Sequence, residues 1–152
     1  MKTIAIASIL ALAAITAGAT EVSLTAGNSA GTTGNGFGVS VSQKYVTQTV
    51  GAVDVIGAIE RSSQGEPQTR TSVAVSKDLT KFGPVTVSAN TGVAYLSNAT
   101  SENGYAMTVG AAATVPVTKG VNFVVGVGRQ YGQVRVSAFD GARVTAGVSY
   151  SF

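Results

Sequence analysis

From Ala142 to Phe152 every second residue is apolar or aromatic: Ala142, Val144, Ala146, Val148, Tyr150 and Phe152. The residues between them, Arg143, Thr145, Gly147, Ser149 and Ser151, are small or polar. Successive side chains of a strand point to opposite faces, so this period of two describes an extended segment with one greasy and one polar side. A helical repeat would scatter both sets around its circumference. The rest of the chain therefore has to supply strands that can pair with this one.

The amino end reads differently. Lys2 precedes an almost uninterrupted apolar run from Ile4 to Ala17, and Ala17-Gly18-Ala19 places small residues just before Thr20-Glu21. A charged start, an apolar stretch and a small-x-small site predict a secretory signal peptide over residues 1–19. The run is shorter than the roughly 17 to 25 apolar residues of a membrane-spanning helix. No cysteine follows the site, which excludes a lipid-anchored product.

Residues 20–152 then have a length suited to one domain. They contain no second apolar run of spanning length, so a helical membrane protein is excluded. The 19 glycines, three prolines and abundant Val, Thr and Ser favour strands and turns over helix. There is no cysteine for a disulfide staple, although an exported chain meets an oxidising compartment. The formal charge of +3 is scattered without a basic run, which gives a nucleic-acid partner no support.

Turn-forming residues divide this stretch into eight alternating segments. The strands are predicted at Thr20 to Ala26, Gly36 to Val46, Gly51 to Ser62, Thr69 to Leu79, Pro84 to Ser97, Gly104 to Val117 and Val121 to Gly132, with the closing strand last. Its alternation continues backwards without a break to Val134, while Asp140-Gly141 also reads as a turn, so starts at Val134 and at Gly141 are both open. Short turns alternate with longer polar loops. An even strand number brings both ends of the domain to the side of the short turns.

An alternating carboxyl-terminal strand that ends on Phe152, behind a signal peptide and seven similar segments, resembles the small eight-stranded outer-membrane β-barrels typified by the OmpA transmembrane domain and OmpX. The resemblance implies an all-β, up-and-down antiparallel transmembrane barrel over residues 20–152 in the outer membrane of a Gram-negative cell, reached through the periplasm. It also implies that Tyr150 and Phe152 form an assembly signal read by the barrel assembly machinery, and that outer-membrane lipid and lipopolysaccharide surround the barrel. Segments near eleven residues match the roughly 9 to 11 that a tilted strand needs to cross a bilayer.

The aromatic residues distinguish such a barrel from a secreted sandwich, since membrane barrels carry aromatic girdles at both interfaces. Phe37, Tyr95, Tyr105 and Tyr131 fall at the loop ends of their strands, and Tyr45, Phe123, Tyr150 and Phe152 at the turn ends. All eight share the parity of their strand's apolar face; Phe82 is expected in a turn, with no face to share. Small aliphatic residues such as Val39, Val55, Val87, Ala111 and Val125 fill the midsections. Phe139 is the exception, pointing to the polar face if the last strand is long.

The opposite parity then faces the lumen. An eight-stranded barrel is just wide enough for side chains to fill, which predicts a polar core rather than an open pore. Charges there have to be paired. Lys44 and Asp54 are equidistant from the turn near Thr49, and Glu60 and Arg70 from Gly65, so hairpin register sets each pair face to face. Arg143 and Glu21, on the last and first strands, are candidates to extend these networks. Arg129 has the lipid-side parity two residues before Tyr131, where it can meet lipid phosphates or sit as an ordinary interfacial residue.

No catalytic site is expected. Without His or Cys neither a Ser-His-Asp nor a Cys-His site can be assembled, and His or Cys metal sites are excluded as well. Gly34-Asn35-Gly36-Phe37-Gly38 lacks the spacing of a nucleotide loop and opens no helix, so no cofactor is called for. The expected function is structural or surface-interacting and non-catalytic. The alternatives are a narrow porin-like channel and a secreted all-β adhesin or coat component. An adhesive surface, with no partner identified, would lie at Asn28 to Asn35 or Gln133 to Phe139.

Overall fold

The structure, a computed structural model, describes residues 21–29, 35–62, 68–98, 103–132 and 141–152. They form eight strands: β1 (Glu21–Ser29), β2 (Asn35–Thr47), β3 (Gly51–Ser62), β4 (Gln68–Phe82), β5 (Val85–Asn98), β6 (Gly104–Thr118), β7 (Val121–Gly132) and β8 (Gly141–Ser151). Each pairs antiparallel with its successor, and β8 pairs back onto β1 from Glu21 opposite Ser151 to Ser29 opposite Arg143. The sheet therefore closes into the predicted eight-stranded barrel and leaves no unpaired edge.

β3 and β7 begin and end where the alternation places them. The others differ at their ends, chiefly because ladder pairing continues through residues whose local chemistry favours turns. β1 extends to Ser29 and β2 begins at Asn35, taking residues from the expected loop into the ladder. β8 is described from Gly141. The earlier start at Val134, the orientation of Phe139, most of both candidate adhesive loops and the proposed signal peptide lie outside the described residues.

At one end of the barrel the connections are tight. The turn after β2 is clasped by Thr47, whose Oγ1 accepts from Val50 N at 3.2 Å and donates to the Gly51 carbonyl at 3.3 Å. β4 and β5 are joined through Gly83-Pro84, with Gly83 at φ +57°, the left-handed value that a two-residue hairpin of this kind requires in its first position. The strand ends Ser29, Ser62, Asn98 and Gly132 lie at the opposite end.

Two bulges near the tight turns shift register, one between Asp78 and Thr80 and one between Pro116 and Thr118. The first has a consequence for Phe82. It is not a turn residue, as the sequence predicts, but a strand residue opposite Val85 on the outward face, where it is 68% exposed. Insertion of Leu79 turns it outward, because Arg70, Ser72 and Ser76, spaced from it by even numbers of residues, face the interior.

The barrel is apolar outside. Leu24, Val73, Val93, Met107, Val109, Val127, Val144 and Val148 are all exposed on the outer surface. The fully buried large apolar side chain is Leu96, which points inward beside Ala94 and Ala106. Ser76, Thr108, Gln130 and Ser149 are buried with them. The interior is thus mixed rather than uniformly polar, because so narrow a barrel is filled by side-chain volume as much as by polarity.

Candidate functional site

The most distinctive chemistry lies inside the barrel near its loop end. Glu60 is directly opposite Arg70 across the β3–β4 ladder, and their side chains form a salt bridge of 3.4 Å between Arg70 Nη1 and Glu60 Oε2. The other oxygen, Oε1, is paired with Arg143 Nη2 from β8. β1 and β2 lie between β8 and β3, so this second bond crosses the interior over two strands. One carboxylate is shared by two guanidinium groups, and all three side chains are largely buried.

Two glycines make the crossing possible. Gly27 and Gly36 are register partners on β1 and β2 and face the interior beneath the bridge. A Cβ at Gly27 would stand 2.6 Å from Arg143 Nη2 and 2.8 Å from Thr145 Cγ2, and one at Gly36 would collide with Glu60 Oε1. Here the absence of a side chain creates a notch for the ion pair. The sequence shows the two positions at lumen parity, but nothing local reveals that a guanidinium from the far end of the chain fills the gap.

Arg70 Nε, Arg143 Nε and Gln130 Nε2 are buried donors without a protein acceptor among the described residues. The two guanidinium groups of the bridge consequently keep donor capacity, as does the Gln130 amide two ladder positions from Arg143. Such groups are stabilised by water or an anion.

At the opposite end a hydrogen-bonded network joins neutral side chains of β7 and β8 to one acid, Glu21. Asn122 Nδ2 donates to Ser149 Oγ at 3.3 Å and to Ser151 Oγ at 3.2 Å, and Ser151 Oγ donates to Glu21 Oε2 at 3.3 Å. Ser23 Oγ donates to Glu21 Oε1 at 3.4 Å. Glu21 thus pairs with hydroxyls rather than with Arg143, which lies at the other end of β8. These bonds tie β7, β8 and β1 together across the closing seam, and Ser151 N donates to the Gly120 carbonyl at 2.7 Å beside them. Lys44 and Asp54 are register partners as their spacing requires, but their charged groups do not close to ion-pair distance.

Outside, the aromatics sit in two rows. Tyr95 and Tyr105 are cross-strand partners with ring centroids 5.1 Å apart, and Phe37 and Tyr131 are exposed at the same loop-side end. Tyr45, Phe82, Phe123, Tyr150 and Phe152 are exposed towards the turn side. Tyr150 and Phe152 meet edge to face at 5.1 Å, and the Tyr45 hydroxyl donates to Gln43 Oε1 at 2.9 Å.

A closed eight-stranded barrel with an aliphatic belt, flanking aromatic rows and a side-chain-filled lumen defines the class: the chain has the fold of the small outer-membrane β-barrels of the OmpA and OmpX type. Solved structures agree. The N-terminal β-barrel domain of Pseudomonas aeruginosa OprF superposes with a TM-score of 0.69 at 15% identity, covering 88% of this chain and 97% of that one. Neisserial surface protein A does so with a TM-score of 0.54 at 15% identity, over 88% and 94% of the two chains. The outer membrane enzyme PagL gives 0.50 at 13% identity, over 86% and 97%. No protein-family model and no curated protein sequence matches the chain.

Proposed function

We propose that this protein resides in the outer membrane as a non-catalytic barrel with a structural or surface-interacting role. The observation that carries the reading is its inverted polarity: exposed aliphatic side chains form the midsection of the outer surface, while Glu60, Arg70 and Arg143 converge inside. So large an apolar surface is unstable in water and well solvated by lipid. The side-chain bridge favours a closed lumen, and the absence of His and Cys from the whole chain removes the usual nucleophile and base pairs. Barrel assembly machinery, engaged through Tyr150 and Phe152, and lipopolysaccharide are the proposed cellular partners.

Membrane fractionation tests the reading. The protein is expected in the outer membrane, resistant to urea and carbonate, with a heat-modifiable shift on gels; release into the soluble fraction would favour the secreted adhesin instead. A second reading, a narrow channel, draws on the three donors without protein acceptors around the bridge. Steady conductance in planar bilayers, lost on replacing Arg70 and Lys44, is the outcome that would establish it.

A further inference from the structure

The bridge inside the loop end carries more positive than negative charge. Arg70 and Arg143 share the single carboxylate of Glu60, which leaves the cluster with a surplus of one positive charge. The other interior acids among the described residues lie far off along the strands. Asp54 is six residues before Glu60 on β3, and Glu21 six before Gly27 on β1, each a distance of roughly 20 Å at about 3.3 Å per residue. Asp78 is eight residues beyond Arg70 on β4, and Lys44 stands opposite Asp54 to offset that acid's charge. Coulomb attraction over such lengths does little to neutralise a buried cation.

The surplus is presented by particular atoms. Each arginine reaches Glu60 through a terminal nitrogen, and its Nε–H is buried with no acceptor among the described residues. Gln130, 7% exposed, adds a third such donor in Nε2. It pairs with Gly141 and so flanks Arg143 on the inner face of the β7–β8 ladder, while Arg70 is drawn to the same carboxylate from the opposite wall of the barrel. Leu96, the register partner of Arg70, is buried with Ala94 and Ala106, so the wall between Arg70 and Gln130 is apolar and offers no counter-charge. Water can accept from these donors but brings no charge, whereas a monovalent anion does both. A doubly charged anion would overcompensate the surplus and be repelled by the Glu60 carboxylate.

We infer that Arg70, Arg143 and Gln130 form a lumenal binding site for a weakly hydrated monovalent anion of the halide class, chloride in an ordinary saline medium, which neutralises the Glu60 bridge. A halide accepts N–H bonds from any direction and sheds its water readily against an apolar wall such as that of Leu96, Ala94 and Ala106. The site lies wholly in the interior, so it stands independently of what surrounds the outer wall.

The test uses the protein purified in mild detergent, its folding checked by the heat-modifiable shift. Urea unfolding is followed by tyrosine fluorescence while sodium chloride or bromide replaces sodium gluconate at constant ionic strength. The midpoint is expected to rise and then saturate with either halide; sulfate, which stabilises proteins generally by exclusion from their surface, gives a rise without saturation. Gln130→Met leaves all three bridge residues in place and is expected to need about tenfold more halide for half the effect, as for one lost hydrogen bond to a charged group. Arg143→Met removes the surplus charge and should abolish the saturable response, whereas Lys44→Gln at the opposite end keeps it. Crystals grown in bromide should show an anomalous peak within hydrogen-bond distance of Arg143 Nε and Gln130 Nε2. A wild-type midpoint indifferent to halide, a halide response that does not saturate, or an undiminished response in a folded Gln130→Met barrel would overturn the assignment.

Discussion

Arg143 on the last strand and Glu60 on the third are joined across the inside of the barrel, over the paired glycines Gly27 and Gly36. The bond links strands that are not ladder neighbours, so it braces the barrel in a direction the backbone hydrogen bonds do not. It exists only after β1 and β8 have closed the sheet.

Removing the shared carboxylate leaves two buried guanidinium groups without their anion. Glu60→Gln is expected to destabilise the barrel by about 3 to 5 kcal/mol, the usual cost of breaking a buried ion pair from one side. Replacing Glu60, Arg70 and Arg143 together with Leu, Met and Met should recover most of that loss. Urea titration of both variants in lipid vesicles measures the difference; equal destabilisation would show that the charges are not coupled.

The glycine notch predicts a dependence between distant positions. Gly36→Val places methyl groups where the carboxylate of Glu60 lies, and is expected to cost about 1 to 3 kcal/mol through overpacking. In a Glu60→Ala background the same change should cost much less, because the atoms it collides with are gone. A double-mutant cycle that closes additively would argue against the notch.

On the outer wall Val127 lies near the middle of β7 and is 56% exposed. If lipid covers it, Val127→Arg will lower folding stability in vesicles by about 2 to 4 kcal/mol, as for a charge at the bilayer midplane. The same arginine at Val46, beside a turn and 81% exposed, should cost at most about 1 kcal/mol as an interfacial position. Similar small effects at both sites would indicate a water-exposed wall.

The carboxyl terminus is expected to act in assembly more than in stability. Phe152 is 63% exposed and contacts Tyr150 edge to face, so deleting it removes little buried area. Its deletion should sharply lower the amount of barrel recovered from the outer membrane, while protein refolded from urea into detergent still shows the heat-modifiable shift. Wild-type recovery in cells would remove its role as an assembly signal.

Much of this architecture is written locally. Alternation assigns inward and outward faces one residue at a time, and tight turns count the strands, so eight strands and two aromatic rows are legible without a structure. Hairpin register is local too: Lys44 opposite Asp54 and Glu60 opposite Arg70 follow from equal distances to a turn. Side-chain reach is not, which is why the second pair closes an ion bridge and the first does not.

Closure decided the rest. The Arg143 and Glu60 partnership and the notch of Gly27 and Gly36 that accommodates it each combine residues distant in sequence. The bulge that turns Phe82 outward arises from fitting β4 against β5, a pairing constraint that no alternation within β4 encodes. Residue chemistry by itself determined which face of each strand is apolar and points outward. Only the closed ladder determined which interior charges meet one another, because that depends on distances around the circumference rather than along the chain.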